Sequence, residues 1–354
     1  MQLPSQRPFY TKLAQVLISL IAIGFLCIAG KEILCPLIFS LLFSILLLPV
    51  ASFIERRLHL RRGAAAMLSV LLFVGVITGI LYLVGSQITD LVSDWPQFKT
   101  QLTSSVNDLQ HWVSATFHIG TSKQITYVNN ATSKMLDSGT NIVGATVLSL
   151  SSVLLFLVFL FIDTFFLLLY RRHMFHFLCA VFAPQYKPVV DDVVQQVQSI
   201  LRQYIIGLLV EMTIVSSVCC IVYSIAGIKY AILLGIITGL FNIIPYVGIF
   251  TALGIGALIT FATSGGTPGH VWVVVITTVA MHLIDSNVIL PMVVGSKVKI
   301  NALITVLGVV AGEMIWGIPG MFLSLPVMAI VKIIFDRVDS LKPWGMLLGD
   351  EVKS

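Results

Sequence analysis

The side chains able to do chemistry in this sequence sit inside apolar runs. Asp285-Ser-Asn287 is the most polar cluster of its region, and His282 lies three residues before Asp285. At helical spacing the imidazole and the carboxyl share a face, where they can share a proton or neutralise one another. A structural knot of hydrogen bonds between helices accounts for the same residues equally well. Glu211 lies within another apolar run, where a carboxylate is costly enough to face a cavity, a partner or a subunit contact. Glu313 stands about two turns before Pro319, and Asn242 and Asn301 offer both donors and acceptors to a polar solute. These types support proton or cation coupling through Glu211, Asp285 and Glu313, and solute contact through Asn242, Asp285, Asn287 and Asn301. They do not support catalysis. The sequence has no Gly-x-Ser-x-Gly elbow, no His-Glu-x-x-His and no Walker loop, so the chain is not read as an enzyme and any transport must run on gradients. No cofactor or metal is expected: His111, His118, His173 and His176 lack a ligand set, and the five cysteines lack metal-site spacing.

What positions these residues is a pair of interruptions. Asn242-Ile-Ile-Pro-Tyr-Val-Gly248 separates two apolar runs, 230–241 and 249–261, each too short for a bilayer that takes about 20 helical residues to cross. Pro245 removes a backbone donor and Gly248 tolerates the bend, so the helix stops here and leaves free N–H and C=O groups. In lipid such groups are tolerated only against protein or water, which makes the break a candidate solute site. A second break, Gly317-Ile-Pro319-Gly320, lies between the runs 303–316 and 321–334. Gly308-Val-Val-Ala-Gly312 before it echoes Gly235-Ile-Ile-Thr-Gly239 before the first. Paired interrupted segments point to a transporter built from repeats.

With 57% of 354 residues hydrophobic and 10% charged, the solvent of this chain is lipid. The net charge of +5 does not signal nucleic acid, because the arginines cluster at the ends of apolar runs, as the positive-inside rule expects. The run 13–29 follows basic residues like a signal peptide, but no cleavage site follows it and it is read as the first membrane helix. It pairs with 33–54, whose Pro36 and Pro49 fall near its ends. The loop 55–62 holds four arginines and is expected to be cytoplasmic. The third span is 64–88. Residues 90–141 turn polar and are read as an external helical subdomain, with Phe98, Leu102, Val106, Leu109, Val113 and Phe117 marking an amphipathic helix. The fourth span, 142–170, ends at Arg171 and Arg172, and 184–202 is an amphipathic linker. The span 205–226, the first broken hairpin, the span 271–290 and the second broken hairpin complete the chain. The expected organisation is 1–89 for three membrane helices, 90–141 for the external subdomain, 142–203 for the fourth span and linker, 204–338 for a transport core, and 339–354 for a cytoplasmic tail.

Phe241-Asn-Ile-Ile-Pro-Tyr-Val-Gly248, Leu283-Ile-Asp-Ser-Asn-Val-Ile-Leu-Pro-Met-Val-Val-Gly295 and Gly317-Ile-Pro-Gly-Met-Phe-Leu-Ser-Leu-Pro326, together with Gln203-Tyr-Ile-Ile-Gly207, resemble the autoinducer-2 exporter family of bacterial permeases. The layout resembles the family over nearly the whole chain, and the specific motifs lie in 203–326. The resemblance implies an all-α polytopic inner-membrane protein of about eight segments with two broken hairpins. It also implies a homo-oligomer, a pentamer being one form, and elevator-like displacement of solute. Members are associated with autoinducer-2 export and some with sodium or lithium/proton antiport. Ile249 stands where a proline is expected, relaxing the break, and Leu208 where a glutamine is usual, removing a polar side chain from a solute path.

The reading is a membrane secondary transporter that exports a small polar solute such as autoinducer-2. The breaks would line its site through Asn242, Pro245, Gly248, Gly317, Pro319 and Gly320, with Asp285, Asn287, Pro291, Gly295 and Asn301 beside them. Its partners are the bilayer, the solute or a cation, and further copies of itself. Both termini are expected in the cytoplasm. The alternatives are a sodium(lithium)/proton antiporter and a membrane scaffold acting through the external subdomain.

Overall fold

A computed structural model of the chain describes residues 9–94, 96, 100, 103–104, 122–244, 247–263, 268–289, 292 and 300–349. The described residues are helical almost throughout and contain no strand. Six helices are long and apolar enough to cross a bilayer, and four shorter apolar helices accompany them. The molecule is thus a polytopic all-α membrane protein. In chain order, α1 is Phe9–Ala29, α2 Lys31–Arg57, α3 Arg62–Ser93, α4 Ser122–Val181, α5 Lys187–Ile225, α6 Ala231–Asn242, α7 Val247–Thr263, α8 Pro268–Ile284, α9 Ala302–Trp316, α10 Ile318–Arg337 and α11 Lys342–Leu348.

Two boundaries expected from composition are absent from the backbone. The polar residues 122–141 and the apolar run after them are one 60-residue helix, α4. The amphipathic linker and the span after it are likewise one 39-residue helix, α5. In both, the hydrophobic pattern changes while helix propensity does not, so nothing stops the hydrogen-bond ladder. The amphipathic helix expected over 98–117 falls almost wholly outside the described residues.

The chain divides into two compact units. The first comprises 1–66, 156–202 and 298–354, and the second 67–155 and 203–297. The expected core, 204–338, is therefore shared between them, with one broken helix pair in each.

In the first unit α9 and α10 form a close antiparallel pair. A Cβ on Gly320 would meet the Gly312 carbonyl oxygen at 1.9 Å and one on Gly308 would meet Met328 Sδ at 2.3 Å, so small residues set the helix separation. Gly317 joins the pair at φ 68°, a left-handed conformation that glycine adopts without strain. Pro319 follows in the first turn of α10, where its missing N–H costs nothing. Phe39 of α2 stacks on Phe322 of α10 at 5.4 Å and meets Phe156 edge-on at 5.6 Å. The indole N–H of Trp316 donates to the Cys27 carbonyl at 2.9 Å, capping an acceptor freed by the end of α1. Near the far end of α2, Glu55 binds Arg171 at 2.8 Å and Arg62 at 3.5 Å. The tail residues fold back, the Asn301 N–H donating to Leu348 O at 2.9 Å.

In the second unit α6 seats on α5 through two other glycines. A Cβ on Gly235 would meet Cys220 Sγ at 2.4 Å, and one on Gly239 would meet Ser216 Oγ at 2.1 Å. The two glycine pairs that look alike in sequence thus serve different contacts, one toward the preceding helix and one toward the following helix. Val215, Cys219 and Tyr223 of α5, Leu233 and Leu234 of α6, Ile259 of α7, and Val274 and Met281 of α8 form the buried apolar core.

Candidate functional site

Three helix segments of the second unit bring their polar residues to one point. Asn242 is the last residue of α6, so its side chain stands at the tip of the first broken pair. Its Nδ2 donates to Glu211 Oε1 of α5 at 2.8 Å and to Asp285 Oδ2 at 2.8 Å. Asp285 opens a π-helical turn, Asp285–Ile289, that follows α8 directly, a local widening found repeatedly at functional positions. Glu211 and Asp285 are buried, at 3% and 4% exposure. The other oxygen of each, Glu211 Oε2 and Asp285 Oδ1, is buried and accepts no hydrogen bond. Neither carboxyl has a Lys, Arg or His partner among the described residues.

One amide therefore serves two acids. Both amide hydrogens are spent on them, and two buried acceptor atoms remain without a donor among the described residues. Such a site is unbalanced in charge and in hydrogen bonds, and a proton, a cation or a donor on a polar solute would balance it.

Gly248, at the start of α7, is required by a different contact. A Cβ there would lie 1.8 Å from the Phe241 carbonyl oxygen and 2.6 Å from its carbon. The first turn of α7 thus lies directly on the last turn of α6, and this closeness fixes where Asn242 points.

The remaining residues expected from sequence do not join this cluster. Asn287 donates to the Leu283 carbonyl at 2.8 Å and is exposed. His282 does not pair with Asp285: its Nε2 lies 3.5 Å from Ser286 Oγ, and its Nδ1 is buried without a partner. The carboxyl instead turns to α6, where it accepts from Asn242 at 2.8 Å. Asn301, Glu313, Gly317, Pro319 and Gly320 lie in the other unit. Asn301 caps α9, its Oδ1 accepting from Leu303 N at 2.9 Å, and Glu313 is exposed. Pro245, Pro291 and Gly295 lie outside the described residues.

Two polar contacts had no clear sequence signal. The Tyr223 hydroxyl lies 2.9 Å from Thr278 Oγ1, both side chains being fully buried. Tyr223 lies twelve residues beyond Glu211 on α5, about 120° around an ideal helix, so spacing alone does not place the two on one face. At the other end of α6, the Lys229 ammonium and the Tyr230 hydroxyl both donate to Asp94, and the Tyr230 hydroxyl also reaches the Asp90 carbonyl at 3.3 Å. The Lys229 bond, then the Tyr230 bond, holds the Asp94 carboxyl below its ordinary range. Tyr230 adopts φ 67°, a strained conformation for a bulky side chain.

Comparison with known proteins adds a family. The sequence profile of the AI-2E family transporter matches residues 17–340. YueF, a candidate transport protein of Bacillus subtilis, is 26% identical over 313 residues, 85% of this chain and 82% of its own length. A candidate transport protein of Haemophilus influenzae is 25% identical over 339 residues, covering 93% of this chain and 95% of the relative. PerM, a candidate permease of Escherichia coli K12, is 23% identical over 282 residues, or 77% of this chain and 78% of its own.

Proposed function

The chain belongs to the AI-2E family of transporters, and on that premise we propose that it is a gradient-driven exporter of a small polar solute such as autoinducer-2. The observation that carries this reading is the Asn242 amide at the tip of a broken helix pair, bridging Glu211 and Asp285 at 2.8 Å each. A polar solute recognised in a membrane needs donors and acceptors that a conformational change can uncover. A helix that stops inside an apolar run supplies both kinds. Alternating access would carry the first broken pair and its bound solute from one face to the other, in an elevator-like displacement. The Arg-rich loop 55–62 would face the cytoplasm of the cell, with the chain in the inner membrane as a homo-oligomer.

Flux into proteoliposomes tests the reading. Labelled autoinducer-2 should move with the wild-type chain, and Asp285→Asn should abolish movement while leaving membrane insertion intact. Wild-type flux in that variant would remove the site from the mechanism.

The unpartnered oxygens of Glu211 and Asp285 favour a second reading, sodium or lithium/proton antiport. A pH-sensitive dye in the same vesicles separates the two. Proton movement driven by a sodium gradient, without solute, is the antiporter's signature.

A further inference from the structure

We propose that Glu211 and Asp285 form a one-proton site, in which a single proton bridges the two carboxyl groups and sodium is not a ligand. The proposal deepens the transport reading above by naming the ion its site holds.

The geometry supplies the argument. Both carboxyl groups lie within hydrogen-bonding distance of one nitrogen, so the bonded oxygens stand no further apart than twice 2.8 Å. Two ionised carboxylates this close, buried in a seam with Val215 and Met281, would repel without relief. The titratable groups on the elements around them do not supply a counter-charge. Tyr204, two turns earlier on α5, is buried and faces Glu211 as a neutral or anionic group, never a cation. His282 on α8 binds neither acid, and α6 and α7 carry no titratable side chain beyond those already named.

The two orphan acceptors, Glu211 Oε2 and Asp285 Oδ1, lack one donor between them. One proton provides it. The proton comes from water on one face, forms an O–H bond with either acid and a hydrogen bond to the other, and returns to water on the opposite face, so nothing is oxidised or reduced. The remaining negative charge is held by the two amide hydrogens of Asn242, a charge-assisted arrangement.

Sodium fits this donor set poorly. Asn242 turns its nitrogen, and not its oxygen, toward both acids. A bare cation here would repel that nitrogen and find two free oxygens where a hard cation takes an oxygen cage. The amide orientation leaves no Asn242 oxygen for a cation.

Infrared difference spectroscopy on the full-length protein in lipid tests the proposal without any transport. Wild type near neutral pH should show the carbonyl stretch of a protonated carboxyl group that shifts in heavy water. The spectra of Glu211→Gln and of Asp285→Asn should each lack that band, so that it appears in each wild-type-minus-variant difference, because each variant removes one negative charge and the need to share a proton. The band should be unchanged by sodium, and sodium added to wild type in detergent with a pH dye should release no proton. Absence of the wild-type band, its persistence in both variants, or proton release by sodium would each overturn the proposal. The wild-type measurements stand even if a variant fails to fold. A band that behaves as expected alongside absent solute flux would instead overturn the exporter reading and leave this site intact.

Discussion

Gly248→Ala should disable the site without touching any of its polar atoms. The added methyl would begin 1.8 Å from the Phe241 carbonyl oxygen, and an ordinary contact starts near 3.4 Å. The two turns must therefore part by roughly 1.6 Å. The obstacle is backbone, so no side-chain rotation relieves it. Phe241 precedes Asn242, whose bonds to Glu211 and Asp285 are 2.8 Å long. A displacement of that size takes both beyond bonding distance. Hydrogen bonds to charged groups contribute about 1.5–3 kcal/mol each, and crowding a packed contact costs about 1–3 kcal/mol. Taking only the low end of one such bond and of the crowding gives about 2.5 kcal/mol, or a loss of flux approaching a hundredfold at about 1.4 kcal/mol per decade. The assay is solute or proton flux per inserted protein in proteoliposomes, with Gly254→Ala as control. Gly254 lies on the same helix with nothing within 4 Å of its Cβ position, so alanine there should leave flux unchanged. Wild-type flux in Gly248→Ala, with the control also unchanged, would refute the claim that the α6–α7 contact sets the position of Asn242.

Gly320→Ala should lower thermal stability by about 1–3 kcal/mol by forcing α9 from α10, whereas Gly75→Ala, with open space at its Cβ, should be close to neutral in the same melt. Trp316→Phe keeps the ring but leaves the Cys27 carbonyl without its indole donor, and should cost about 0.5–1.5 kcal/mol in the same assay. Asp94 is held below its ordinary range in the folded protein by Lys229 and Tyr230. Its contribution is therefore complete above the usual carboxylate range, about 3.9, and is lost as pH falls through the lower folded value. Melting temperature should fall more steeply with acidification in wild type than in Asp94→Asn, and equal slopes would refute the contact.

The membrane class was legible from apolar runs and arginine placement, and the helix breaks from Pro and Gly. Glu211, Asn242 and Asp285 were each visible as polar residues in apolar surroundings. Their meeting was not visible, because the pairs are 31 and 43 residues apart in the chain and no local periodicity encodes which helix faces which. The local rule that paired His282 with Asp285 lost to a tertiary partner. Asn301 was read for its hydrogen-bonding chemistry, and that chemistry is used by the helix itself, as a cap on α9. Composition misplaced the ends of α4 and α5 because a change from polar to apolar residues alters what a helix faces and not whether it continues.

The indole of Trp316 ties the turn of the second broken pair to the end of α1. Cys27 lies in the last turn of this 21-residue helix. The junction at Gly317 and the end of α1 therefore lie side by side, so an axial shift of α9 and α10 must carry α1 with it or break this bond. Glu313, less than one turn of helix from Trp316, is exposed. It does not share the burial that singles out Glu211 and Asp285.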